Sequence, residues 1–202
     1  MDSDARGTRL VFPSEEQRPP GREFTPRRFD PEAGEVDFEF VIHAGGPASD
    51  WAANAEPGHK VGVSGPRRSR MIVGDVDWYL LAGDETGLPS IARRLEELPE
   101  GTKVIAVVEV DGPSDQIDFQ TDADLDLTWV QKGDPEVLAD TIRKLDFPSG
   151  NVFAWAGGET TSIAPVRRHL LREREIPSGW MRMTGYWKRQ IANWDHHTPF
   201  EE

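Results

Sequence analysis

Two stretches combine glycine with a carboxylate and a hydroxyl: Gly83-Asp84-Glu85-Thr86 and Gly157-Gly158-Glu159-Thr160-Thr161. Each follows an apolar run and precedes helical spacing, so each reads as the turn from a strand into a helix. In open α/β sheets, ligands settle beyond the carboxyl ends of the strands, where helix N-termini present N–H groups to anions. Two such ends suggest a nucleotide crevice, as a dehydrogenase-like module would use for a nicotinamide nucleotide. Capping is the plainer alternative, because acids and hydroxyls in a first turn also satisfy orphan N–H groups.

A second constellation lies earlier in the chain. Arg22, Phe24 and Thr25, with the turn Gly46-Pro47-Ala48-Ser49-Asp50-Trp51, offer a guanidinium, an aromatic face, a hydroxyl and a helix start. A flat, phosphate-bearing cofactor needs those groups. As structure alone they are a barrel edge and a surface helix. Asp122, Asp124 and Asp126 mimic a calcium loop, but Leu127 stands where glycine is needed and Gly133 where glutamate belongs, so a solvated acidic loop is expected. His196 and His197 are adjacent residues that project differently, with no third ligand near in sequence, so no metal site is expected. P-loop, nucleophile-elbow and G-x-G-x-x-G patterns are absent, which removes the usual signatures of phosphoryl transfer, α/β-hydrolase chemistry and ordinary Rossmann binding.

The elements that must position these residues change character along the chain. Residues 1–21 read as a lead-in with one strand-like patch at 10–12. Residues 21–28 read as a strand edge, with Pro26 biasing Thr25 towards extended backbone. Residues 36–42 alternate with the period of a half-buried strand, a short helix begins after Gly46, and short strands follow at 60–63 and 71–73. From residue 78 the pattern alternates strand and helix: strands at 78–82, 103–110, 127–130, 152–156 and 181–184, and helices over 91–98, 135–145 and 162–174. The apolar strands are too continuous to have a wet face, which predicts a parallel sheet covered on both sides.

Composition narrows the partners. Lys and Arg number 23 against 36 Asp and Glu, a net charge of −13, which argues against nucleic-acid or anionic-membrane surfaces. There is no cysteine, so disulfides, thiolate nucleophiles and cysteine-ligated metal centres are excluded and redox chemistry needs a borrowed cofactor. Residues 1–21 are charged and proline-bearing, unlike a signal peptide, and no stretch is apolar enough to span a bilayer; the expectation is a cytoplasmic protein.

Several stretches, in order, resemble the siderophore-interacting protein family, flavin-dependent ferric-siderophore reductases distantly similar to the ferredoxin reductases. Arg22-Glu23-Phe24-Thr25 resembles the family's R-x-Y-[TS] flavin motif, and FVIHAGGPASDWA (40–52) its F-V-x-H…G-P-A-x-x-W-A segment. LLAGDETGLPSIARRLEELP (80–99) resembles G-D-E-T-A-L-P-A-I, residues 154–159 resemble W-x-A-G-E, and Gly185-Tyr186-Trp187-Lys188 resembles G-Y-W-[RK].

The resemblance implies a two-domain α+β protein, with a partial antiparallel flavin-binding β-barrel (22–73) followed by an α/β parallel-sheet nicotinamide-nucleotide domain (74–202). It implies that FAD is held by Arg22, Phe24, Thr25, His43, Pro47, Ala48, Ser49 and Trp51. NADPH or NADH would lie along Asp84, Glu85, Thr86, Gly158 and Glu159, and Trp187 near the flavin's other side. Lys188 and Arg189 would attract an anionic ferric siderophore. Lys132 and Arg167 are candidates for reading a 2′-phosphate. No protein side chain is expected to do the chemistry, since the cofactor carries it. Two departures stand out. Fewer strands precede Arg22 than the family pattern has, so the barrel is expected to be incomplete and the chain shortened; Phe24 replaces the usual tyrosine. A non-catalytic nucleotide-binding remnant and an interaction module with an open barrel edge are the alternatives.

Overall fold

The computed structural model of the chain describes residues 3–4, 7–8, 14, 20–65, 72 and 74–200, which divide between two units. One unit comprises Met1–Phe24 and Phe40–Gly74, the other Thr25–Glu39 and Asp75–Glu202. Strand signals at 10–12, 71 and 73 lie outside the described residues.

In the first unit, β1 (Ser3–Asp4) pairs antiparallel with β2 (Gly7–Thr8). Helix α1 (Pro47–Ala53) follows Gly46, with Pro47 in its first turn, where the missing N–H costs nothing. Residues 60–63, expected as a strand, adopt no ladder pairing, and Val61 and Val63 are exposed.

The second unit opens with a hairpin, β3 (Pro26–Asp30) and β4 (Glu35–Phe38). The alternation at 36–42 predicts a longer, half-buried strand, but pairing stops at Phe38 and Val36 is exposed. Among the described residues, antiparallel strand pairing is confined to β1–β2, β3–β4 and one isolated bridge, and no barrel closes.

The remainder is an α/β sheet, as the apolar runs predict. Its elements are β5 (Trp78–Gly83), α2 (Leu88–Glu97), β6 (Lys103–Val110), β7 (Asp124–Gln131), α3 (Val137–Arg143), β8 (Val152–Glu159), α4 (Thr160–Arg172) and β9 (Met181–Trp187). Five parallel strands run in the order β7-β6-β5-β8-β9. One face packs Trp78, Leu80, Ala82, Val107, Ala154 and Ala156 against Leu138 and Ile142 of α3 and Ile163, Val166 and Leu170 of α4. Leu81, Val104, Ala106 and Val108 alternate with these and are also buried, while α2 buries Ile91, Ala92 and Leu95. The crossover into β6 steps one way from β5, and the crossover into β8 steps the other way. Right-handed crossovers in opposite directions put α2 and α3 on opposite faces, which explains the unbroken apolar runs. The order reverses between β5 and β8, which makes their carboxyl ends the topological switch point. Among the described residues, no helix is long and apolar enough to cross a membrane.

Candidate functional site

Both glycine–acid–hydroxyl turns lie at that switch point, and the Asp84 carboxylate of the first accepts from the backbone of the second. Asp84, 2% exposed, accepts through Oδ1 from the Thr86 N–H (2.9 Å) and hydroxyl (2.5 Å). Its Oδ2 accepts from the Glu159 N–H (2.8 Å) and from the Trp187 indole N–H (2.8 Å). One carboxylate thus joins the ends of β5, β8 and β9. A Cβ on Gly158 would stand 2.8 Å from Asp84 Cγ, so this approach requires glycine.

Glu159 is the N-cap of α4. Its Oε2 accepts from the Thr161 N–H (2.6 Å), the Ser162 N–H (3.1 Å) and the Thr161 hydroxyl, and its Oε1 from the Arg189 N–H (3.0 Å). Burial pushes this carboxyl up, but the donors outweigh it and hold it below the ordinary range. Capping, the plainer reading of these acids, describes Glu159; Asp84 binds the Thr86 N–H ahead of α2, whose N-cap position, Gly87, receives no side-chain bond.

Glu85 accepts from the Asp111 N–H through Oε1 (3.1 Å) and pairs with Lys132 Nζ through Oε2 (2.5 Å). Lys132 is raised above its ordinary value: burial lowers it, and Glu85 and Asp111 more than compensate. Its ammonium, a candidate reader of a 2′-phosphate, is therefore engaged by carboxylates; Arg167 lies on α4. Beside this group stands Glu109, 4% exposed at the end of β6, which sequence reasoning missed because it reads as part of an apolar strand. Burial first, then the Asp84 charge, push its carboxyl up, against a hydrogen bond from Ser162.

Thr25 lies in the same unit. Its hydroxyl is 2.9 Å from Ser90 Oγ, which is 3.5 Å from the Tyr186 hydroxyl, a long contact. A cleft of about 220 Å³ opens here, lined by Thr25, Ser90, Arg93, Arg94, Glu97 and Trp155. Arg94 lies over the Phe153 ring at 5.6 Å, and burial lowers its guanidinium. Helical phase on α2 could have flagged Ser90 and Arg94; the contact of Ser90 with Tyr186 carries no local signal. Lys188 lies 5.0 Å over the Trp194 ring, and Arg189 is exposed apart from its N–H bond to Glu159.

In the other unit, Phe24 is 37% exposed and packs on Phe40 at 4.5 Å, with Trp51 6.0 Å beyond. Ser49 is buried, and its hydroxyl closes a reciprocal pair with His43, accepting from the His43 N–H and donating to the His43 carbonyl, both at 2.7 Å. The His43 ring lies against Gly46, where a Cβ would stand 2.6 Å from Cε1. Pro47 and Ala48 form the first turn of α1. Arg22 Nη1 donates to the Gly21 carbonyl at 2.7 Å. The exposed phenyl, backed by a second ring and following an arginine by two residues, fits a flat, phosphate-bearing group.

The C-terminal segment corrects one expectation. His196 and His197 do not project apart: their ring centroids are 3.9 Å apart, and Asp195 brings a carboxylate to the same place.

Residues 76–190 match the model described as siderophore-interacting protein, and residues 3–70 match the siderophore-interacting FAD-binding domain. The chain is 31% identical over 190 residues to the ferric vibriobactin reductase of Vibrio cholerae serotype O1, covering 91% of this chain and 69% of that one. It is 34% identical over 182 residues to the NADPH-dependent ferric-chelate reductase of Escherichia coli, covering 88% and 70%. A siderophore utilization protein from T. fusca superposes with a TM-score of 0.80 at 39% identity, over 88% of this chain and 69% of that one. With a model matched over more than half its length and motifs in the expected order, the chain belongs to the siderophore-interacting protein family.

Proposed function

We propose that this protein is a flavin-dependent reductase that takes electrons from NADPH through FAD to ferric iron in a siderophore, releasing Fe(II). The observation that carries this reading is the coexistence, in one chain, of a match to a siderophore-interacting FAD-binding domain and a parallel-sheet unit whose strand order reverses at the two glycine–acid–hydroxyl turns. Relatives at 31% and 34% identity named as ferric reductases support it, and the name of the second favours NADPH.

When bound, FAD supplies the conversion of one two-electron hydride donation into two one-electron reductions of Fe(III). The protein's own residues bind, orient and tune. In this reading residues 3–70 correspond to the FAD-binding domain, with Phe24 as the stacking face, Arg22 as the phosphate partner, and His43, Pro47, Ala48, Ser49 and Trp51 shaping the turn beside it. Glu85, Thr86 and Gly158 would hold the nicotinamide nucleotide. Asp84, Glu159 and Trp187 act there as positioning residues, because Asp84 accepts from the Glu159 N–H and the Trp187 indole, and Glu159 accepts from the Arg189 N–H just beyond β9. Lys188 and Arg189 draw the anionic chelate despite the acidic whole. Reduction frees the metal because hard oxygen donors hold Fe(III) far better than Fe(II).

The deciding experiment is the visible spectrum of the purified chain after incubation with FAD and desalting, followed by anaerobic NADPH and then a ferric chelate. A retained flavin spectrum, bleached by NADPH and restored as Fe(II) appears, is the expected result. A folded chain that stays colourless and forms no Fe(II) overturns the proposal.

A further inference from the structure

The segment after β9 is tied down at both ends. The Trp194 indole donates to the Gly185 carbonyl (3.1 Å), and Phe200 packs against the main core. Between them the chain reverses at residues 195–198, with the Thr198 N–H on the Asp195 carbonyl (2.9 Å) and the His197 N–H on Asp195 Oδ1 (2.9 Å). His196 and His197 occupy the two central positions of this turn, where consecutive side chains lie side by side instead of on opposite faces. One ligand atom from each of Asp195, His196 and His197 falls within 4.8 Å of the others. Donors cis and trans on one six-coordinate ion, with bonds of about 2.1 Å, stand roughly 3 and 4 Å apart. Asp195 and His197 are exposed and His196 is half-buried.

We infer that Asp195, His196 and His197 form a surface site for a divalent first-row transition metal, with the Fe(II) released by the reductase as its occupant. Two imidazoles and one carboxylate, with the remaining positions open to water, are a donor set that suits Fe(II), Co(II), Ni(II) and Zn(II), whereas Mg²⁺ and Ca²⁺ call for oxygen alone. Three donors on a solvent-facing turn make an exchangeable site, fitted to pass an ion on. The site rests on the geometry of the turn; the identity of its occupant rests on the proposed reductase activity.

The test is an anaerobic titration of the full, tag-free chain with Co(II), read by its visible d–d bands and by calorimetry, with Fe(II) then added as competitor. The expected result is one Co(II) per chain and at least a tenfold weaker dissociation constant in His196→Ala and in His197→Ala. Asp195→Asn is weakened less, His59→Ala is unchanged, and all variants keep the wild-type circular dichroism. Fe(II) in excess displaces the Co(II), the excess offsetting the weaker hold of the same donors on Fe(II). Absence of saturable binding, or equal binding by a folded His196→Ala/His197→Ala variant, overturns the site; Co(II) that a large excess of Fe(II) cannot displace overturns the occupant. NADPH-dependent reduction of a ferric chelate, measured on the same variants, separates this failure from a failure of the reductase reading.

Discussion

Asp84 is the residue on which the switch point turns. Its two oxygens accept four hydrogen bonds, two from Thr86 in the turn after β5 and two, the Glu159 N–H and the Trp187 indole, from other strands. Asp84→Ala leaves those donors without their acceptor in a buried place, where each unsatisfied group costs about 1–3 kcal/mol. The expected loss is therefore on the order of 3 kcal/mol or more, measured by urea unfolding, with a drop in NADPH affinity as the ends of β5 and β8 separate. Glu109 behaves differently. Its folded carboxyl is raised by burial and by Asp84, so between the unfolded value and the folded one the native state keeps a proton that the unfolded state releases. Stability is lost as pH rises through that window, and Glu109→Gln, which keeps a polar partner for Ser162, raises the melting temperature at pH 8 while differing little from wild type at pH 4. A variant that melts lower than wild type at pH 8 contradicts this. Glu159 works with the opposite sign, since its carboxyl is lowered: its contribution is present at neutral pH and fades as acid protonates it.

Two arginines show how context sets the worth of a charge that joins elements. Arg174, just beyond α4, lies 4.3 Å over the Phe147 ring and donates to the carbonyls of Arg143 (3.2 Å), the last residue of α3, and Leu145 (3.1 Å), two residues on, and to His169 Nε2 (3.3 Å). These bonds satisfy orphan carbonyls at a helix end. Arg27 forms a two-point pair with Glu96 (2.6 and 3.0 Å), joining β3 to α2 at the surface. Chemical denaturation of the two alanine variants is expected to rank them clearly. Arg174→Ala loses about 1–3 kcal/mol, from stacking and stranded carbonyls. Arg27→Ala loses no more than about 1 kcal/mol, because exposed ion pairs are screened and give up side-chain entropy. Similar losses would mean that the α3–α4 junction is better solvated than its contacts imply.

At the scale of the whole molecule, ligand linkage is the measurable consequence of the proposed function. A nucleotide that binds only the native state stabilises it by about 2.7 kcal/mol at a hundred times its dissociation constant. For a chain of this length that corresponds to a rise of roughly 5–11 °C in melting temperature. FAD and NADPH added separately are each expected to shift the melting curve, and His196→Ala is expected to shift as wild type does, since it lies outside both proposed pockets. No shift with NADPH in a folded chain would remove the switch-point crevice from the proposal.

The sequence by itself determined the alternation of strand and helix from residue 78 onward, the burial of the sheet on both faces and the family's motifs in order. Each is local: a period of two or 3.6, an unbroken apolar run, or a short run of residues whose types and spacing keep their meaning in any surroundings. Boundaries were legible only roughly, as β8 runs on to Glu159 and β4 stops at Phe38. Tertiary structure alone decided that Asp84 meets Glu159 and Trp187, 75 and 103 residues away, because those contacts depend on strand order and register, which no local pattern records. It also decided that Glu109 sits beside two other acids, and that two adjacent histidines face the same way. An extended chain separates such neighbours; a turn held by Asp195 brings them together.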